Sequence, residues 1–283
     1  MNEVYGPLCV EHILVSLDSS THSFAALRAA VVLARHFEAN LKGLFVEDIA
    51  LLGLAESPFR QEVGEYSAIV REFSTDDISR GILVQSRWVI KTFRKLINQT
   101  NIRGEFSILR GEVFKMIYHE TKNCDLLIIG KTGTHPLRKR GMGSTAKYLI
   151  KHSKVSLVLV EEDNSIGYPM VLLYEDSPTG QTSLETARDL LDPTETLIVL
   201  LDEENPDKLK SNKDRIEQWA TENQIDLSLQ TYQKHTFEQF IGMINGLKEG
   251  LFILSHPEDP LQEELIEICL EKVSLPIFYI KNR

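Results

Sequence analysis

The sequence predicts an α/β protein: two tandem copies of one unit, each a roughly five-stranded parallel sheet between helices. Three observations predict it. Strand-length apolar runs alternate with helical stretches along the whole chain, the pattern of a mostly parallel sheet covered on both faces. The order of these elements repeats. Asp18 and Asp176 close the first strand of each copy, and Lys154-Val155-Ser156-Leu157 recurs as Lys272-Val273-Ser274-Leu275 before each last strand. Finally, 283 residues suit two domains of about 100–200 residues each.

In the first copy, His12 to Leu17 reads as a strand that ends at Asp18 and the polar Ser19, Ser20 and Thr21. An Ala- and Leu-rich helix follows from about Ser23 to Phe37, then a strand from Leu41 to Val46. Residues 48–70 read as irregular, with Gly53, Pro58 and Gly64. An amphipathic helix fits Ser74 to Asn98, with Val89, Phe93 and Leu96 on one face as core or interface. Phe106 to Leu109 is a strand and Arg110-Gly111 a turn; Glu112 to Thr121 is a short helix. Strands Leu126–Ile129 and Val155–Val160 flank a helix from about Ser144 to Ser153.

The second copy repeats this order. Strands are expected at Met170–Glu175, Thr196–Leu201, Leu227–Gln230, Leu251–Leu254 and Ile277–Ile280. Helices are expected at Ser183–Leu191, Lys208–Asn223, Phe237–Leu247 and Gln262–Glu271. A linker at Glu161–Tyr168 puts the domains at 1–163 and 164–283. The units are expected to be Rossmann-like or flavodoxin-like.

Hydrophobic residues make up 42%, enough for real cores. No run approaches the ~20 apolar residues that span a bilayer, so no membrane partner is expected. Met1 to Glu11 lacks a basic stretch followed by an apolar one, so no signal peptide is expected. Cys9, Cys124 and Cys269 are far apart and form no CxxC, which fits a reduced, cytoplasmic protein. Net charge is −10, unevenly shared. Residues 164–283 hold 22 acidic and 10 basic side chains; residues 1–163 hold 19 and 21. The acid excess argues against a nucleic-acid partner and makes the first half the better host for a phosphate.

The chemistry centres on residues 130–145, where the glycines follow G-x2-G-x9-G-S. Gly130 closes a strand, the end at which open α/β sheets bind ligands. Glycines let backbone approach a ligand closely. Gly143-Ser144 precedes a helix, so free N–H groups and the helix dipole face an anion. Ser144 and Thr145 add hydroxyls, and Arg138, Lys139 and Arg140 add charge. An ordinary loop with a helix cap would use the same residue types; spacing, strand and helix together favour the anion. Gly130-Lys131-Thr132 is not the end of a P-loop, because that motif needs glycine where Asp125 stands.

These residues resemble the universal stress protein family. The likeness rests on Val15-Ser16-Leu17-Asp18-Ser19-Ser20, Phe45-Val46-Glu47-Asp48 and the 130–145 loop. It spans the chain as two copies and is much weaker in the second. The resemblance implies bound ATP, with or without Mg. Asp18 would contact the nucleoside, and the Val46 backbone the adenine. Gly130, Gly133, Gly143, Ser144 and Thr145 would hold ribose and phosphates. It also implies an internal pseudo-dimer joined through the last strands, about 155–160 and 275–280. In the second copy, Ser255-His256-Pro257-Glu258-Asp259-Pro260 is about seven residues shorter and has no glycine, so no ATP is expected there. Asp176 is expected to be a turn residue.

Other candidates carry less. His119-Glu120 lacks the second histidine of HExxH, and His12, His22 and His36 show no ligand spacing, so no metal site is expected. His135 reads as solvent-exposed and Cys124 as core. No catalytic residue is assigned. The leading reading is a cytoplasmic stress-response protein that binds ATP in the first domain as a sensor or switch. Slow ATP hydrolysis and a scaffold acting through an unknown protein partner stand as alternatives, and further homodimerisation is left open.

Overall fold

The computed structural model describes residues 6–51, 62–63, 70–71, 75–133, 141–258 and 260–281. The first half runs β1 (His12–Ser16), α1 (Thr21–His36), β2 (Asn40–Asp48), β3 (Glu62–Val63), β4 (Val70–Arg71) and α2 (Thr75–Asn98). It continues with β5 (Gly104–Gly111), α3 (Val113–Glu120), β6 (Leu126–Gly130), α4 (Ser144–His152) and β7 (Ser156–Val160). The second half runs β8 (Ser165–Leu173), α5 (Pro178–Leu190), β9 (Thr196–Asp202), α6 (Pro206–Asn223) and β10 (Asp226–Tyr232). It ends with α7 (Lys234–Ile244), β11 (Glu249–Ser255), α8 (Pro260–Lys272) and β12 (Ile277–Ile280).

Ten strands form one sheet in the order β10-β9-β8-β11-β12-β7-β6-β1-β2-β5. Both halves therefore place their main strands in the order third-second-first-fourth-fifth. Every neighbouring pair is parallel except β12 with β7, which joins the halves. There Ile277 faces Leu159 and Tyr279 faces Leu157, antiparallel. In each half the order reverses beside the first strand, between β1 and β6 and between β8 and β11. Crevices at the carboxyl ends of strands open at such switch points.

All residues of β7 and β12 are buried, which requires helices on both faces. One apolar cluster holds Ala26 and Ala30 of α1, Phe93 of α2, Leu184 of α5 and Ile216 of α6. The other holds Ile117 of α3, Leu149 of α4, Phe237 of α7 and Cys269 of α8. The expected core face of α2 is buried at Val89 and Phe93, while Leu96 is partly buried.

The element ends depart from the sequence reading where capping decides. Helix α1 begins at Thr21, because the Ser20 side chain accepts from Ser23 N at 3.1 Å. Helix α5 begins five residues early. Ser177 caps it, accepting from Gly180 N at 3.0 Å, and Pro178 suits the first turn. Arg110 and Gly111, read as a turn, extend β5, where they face Glu47 and Asp48 of β2. Half of the expected linker is strand, since β8 starts at Ser165 opposite Glu249. The segment read as irregular contains the β3–β4 ribbon.

Buried lysines cross the join. Lys281, just past β12, donates through Nζ to Ile150 O and, at 2.7 Å, to Ser153 O. Those carbonyls end α4, where a cation also meets the negative end of the helix dipole. Burial pulls the Lys281 pKa from 10.5 down to about 8. Below about pH 8 the amine is charged in both folded and unfolded chains. Between about pH 8 and about 10.5 the unfolded chain holds a proton that the folded one lacks, so this group makes stability rise with pH. The unfolding free energy of wild type relative to Lys281→Met should therefore grow by about 2 kcal/mol from about pH 7.5 to about pH 10 in urea titrations. A difference that stays flat would mean the amine is not desolvated.

Candidate functional site

At the first-half switch point a cavity of about 390 Å³ opens beyond the ends of β1 and β6. It falls within the size range of ligand pockets. Its wall brings together Asp18, Gly130, Gly133, Gly143, Ser144 and Thr145, six of the seven residues expected from sequence. Val46 is not among the lining residues. It lies in β2 opposite Leu109, partly buried against the apolar cluster that includes Ile117.

The local backbone explains these positions. After β1 the chain turns through Ser19, a non-glycine residue at φ 68. Such strained conformations concentrate at functional sites. Asp18 Oδ1 accepts from Ser20 N at 3.0 Å and from Ser20 Oγ at 2.6 Å, which fixes its carboxylate. Gly130 lets the start of α1 close over the end of β6. A Cβ there would stand 3.0 Å from His22 Cβ and 3.1 Å from the His22 carbonyl carbon. Gly141 has φ +96, a conformation that favours glycine.

Helix α4 presents the donors. Its N-cap is Gly143, which has no side chain with which to cap the first turn. Lys147 N donates to Gly143 O at 3.0 Å. The N–H groups of Ser144, Thr145 and Ala146 have no acceptor within the helix, and all three residues line the cavity. Thr132, also in the lining, has a buried Oγ1 without a hydrogen-bond partner. Uncapped N–H groups and a positive helix end fit an anionic ligand. Val113 and Ile117 of α3, with Ile129, give an apolar wall.

Lys131 was missed in the sequence reading, since nothing in its neighbours marks it except that it is not a P-loop lysine. It lines the cavity yet is 1% exposed. Its N–H donates to Val160 O at 2.9 Å, and its carbonyl accepts from Gly143 N at 2.9 Å. The side chain turns away from the cavity, donating to Val273 O in the second half and pairing with Glu161 at 3.0 Å. Burial lowers its pKa, and Glu161 works against that shift. Val113 and Ile117 were also missed, because only the crossover to α3 brings them to the loop.

Arg138, Lys139, Arg140 and His135 lie outside the described residues, as does Asp259. Among the described residues no three His, Cys, Asp or Glu side chains come together as a metal site, and no helix is long and apolar enough to cross a membrane. Cys124 is partly buried. At the corresponding point of the second half, β11 ends in Ser255, and Nδ1 of the following His256 lies 2.6 Å from Tyr279 OH. Asp176 there stands in the bend between β8 and α5 and is ion-paired to Arg215 of α6.

Residues 10–161 match the universal stress protein family. A universal stress protein of Methanocaldococcus jannaschii is 26% identical over 152 residues, covering 53% of this chain and 81% of that protein. One from Synechocystis sp. is 23% identical over 153 residues, covering 53% and 96%. The crystal structure of a universal stress protein from Archaeoglobus fulgidus superposes with a TM-score of 0.70 at 15% identity, covering 96% of both chains. A functionally unknown protein from Pseudomonas aeruginosa superposes at 0.61 with 11% identity, covering 97% of this chain and 93% of that one.

Proposed function

Because the chain belongs to the universal stress protein family, we propose that its first half binds ATP and that the protein acts as a nucleotide-responsive sensor or switch in a stress response. One observation carries this reading: the uncapped start of α4 lines one cavity with Asp18, Gly130 and Gly133. In this reading the first-turn N–H groups of α4 hold phosphates, with Gly130, Gly133, Ser144 and Thr145 shaping the cradle. Asp18 accepts from the ribose hydroxyls, and Val46 borders the base. Magnesium, where present, rides on the phosphates. Residues 1–163 form the binding domain, and residues 164–283 a degenerate tandem copy without nucleotide. The reducing cytoplasm is the proposed compartment, in keeping with three free thiols.

Isothermal titration of nucleotide-free protein with ATP tests the reading. One ATP per chain is expected. Absence of binding overturns the nucleotide function, and two per chain overturn the assignment of the second half.

A further inference from the structure

Helices α1 and α2 lie side by side on one face of the first half, joined where the Trp88 ring meets Phe24 edge-on at 4.5 Å. Neither Thr21–His36 nor residues 79–98 contains a single Asp or Glu. Helix α2 exposes Arg80, Arg87, Lys91, Arg94 and Lys95, and α1 exposes Arg28 and Arg35. Among the described residues no carboxylate pairs with Arg87, Lys91, Arg94 or Lys95. These four line a shallow groove with Ile90 and Asn98. The nearby acids sit at the rim of the face, where Asp189 meets His36 at 3.2 Å and the Glu162 carbonyl meets Arg28.

Apolar side chains stand among these cations. Val84 is 65% exposed and Trp88 50%; Leu83, and Val32 of α1, are exposed as well. A merely solvated helix face has no need of an exposed tryptophan, and residues 1–163 hold 19 acidic side chains against 21 basic ones, yet none of those acids stands on this stretch of α1 and α2. Cations interleaved with Trp and aliphatic side chains are the pattern of helices that lie on anionic lipid. The opposite side of α2 is committed to the sheet through Ile82, Val89, Phe93 and Ile97, so the helix can rest on a surface but not enter it lengthwise.

We propose that the α1–α2 face docks on the surface of an anionic lipid bilayer. Arg87, Lys91, Arg94 and Lys95 meet the headgroup charges, while Trp88, Val84 and Val32 enter the headgroup layer. This is peripheral binding, distinct from the spanning that the sequence excludes, and it does not depend on the nucleotide reading.

Sedimentation of the full chain with vesicles tests it, using phosphatidylcholine alone or with about one third phosphatidylserine at low salt. Binding is expected only to the anionic vesicles. The triple variant Arg87→Gln, Lys91→Gln, Arg94→Gln should weaken it by about 100-fold, at roughly fivefold per cation. In a Trp219→Phe background, Trp88 fluorescence should shift to the blue on binding. The substituted cations are exposed, so an unchanged melting temperature is expected and verifies the fold. No co-sedimentation of wild type overturns the proposal. So does binding that the triple variant leaves intact, or tighter binding to an oligonucleotide than to the vesicles.

Discussion

Gly143→Asp is expected to abolish ATP binding in a protein that remains folded. The backbone at Gly143 has φ −66 and ψ 155, which any residue adopts. An added Cβ would stand 3.4 Å from Gly133 N and 3.6 Å from Lys131 O, ordinary contact distances. Aspartate is also a favoured N-cap, so its carboxylate would accept from the first-turn N–H groups of α4 and hold the helix slightly better than glycine does. Those are the donors assigned to the phosphates. The variant fills them with its own anion and repels the ligand's. Each hydrogen bond to a charged group is worth about 1.5–3 kcal/mol, so losing two implies at least about a 100-fold weaker affinity. Titration calorimetry reads the affinity, and a thermal melt verifies the fold. Gly143→Ala, which adds the Cβ without the charge, should bind within severalfold of wild type. An Asp variant that binds as wild type does would remove the start of α4 from the site.

The parts legible in the sequence were those encoded locally. Continuous apolar runs such as Leu126–Ile129 gave buried strands, because a strand covered on both faces needs no alternation. The glycine spacing of the 130–145 loop was legible because the end of a strand and the start of a helix must both meet it. Helix starts were misplaced at Pro178 and Pro206, although Ser177 and Asn205 carry the capping signal and accept from Gly180 and Lys208. There the apolar periodicity begins later than the cap. Arg110 and Gly111 looked like a turn, yet their ladder to Glu47 and Asp48 is a long-range pairing that composition does not reveal. The same holds for the site. Asp18 and the loop glycines are marked by their neighbours in sequence. The apolar wall from Val113 and Ile117 depends on a crossover, and the role of Lys131 depends on a partner 142 positions away.

Lys131→Ala is expected to be the most destabilising single change at the join, by about 3–5 kcal/mol in urea unfolding. Three losses combine. The 1% exposed side chain leaves a void at the meeting of β6, β7 and α8. Val273 O, at the end of α8, loses its charged donor. Glu161 loses its cation, though at 29% side-chain exposure it can turn to water, which places the cost toward the lower end. Lys131→Met separates these contributions, because it keeps most of the packing and removes only the polar contacts. It should cost about 1–2 kcal/mol, the value of a charged hydrogen bond lost with a carbonyl left exposed to little water. Equal costs for the two variants would mean that the polar contacts alone set the effect, and a Met variant as stable as wild type would mean that packing alone does. The lysine backbone also closes the loop through Gly143 N and Val160 O. The side chain thus ties the wall of the proposed nucleotide cavity to the second half, and both variants should speed amide exchange at residues 272–275 as well as in the loop. Faster exchange confined to the first half would show that the side chain does not connect them.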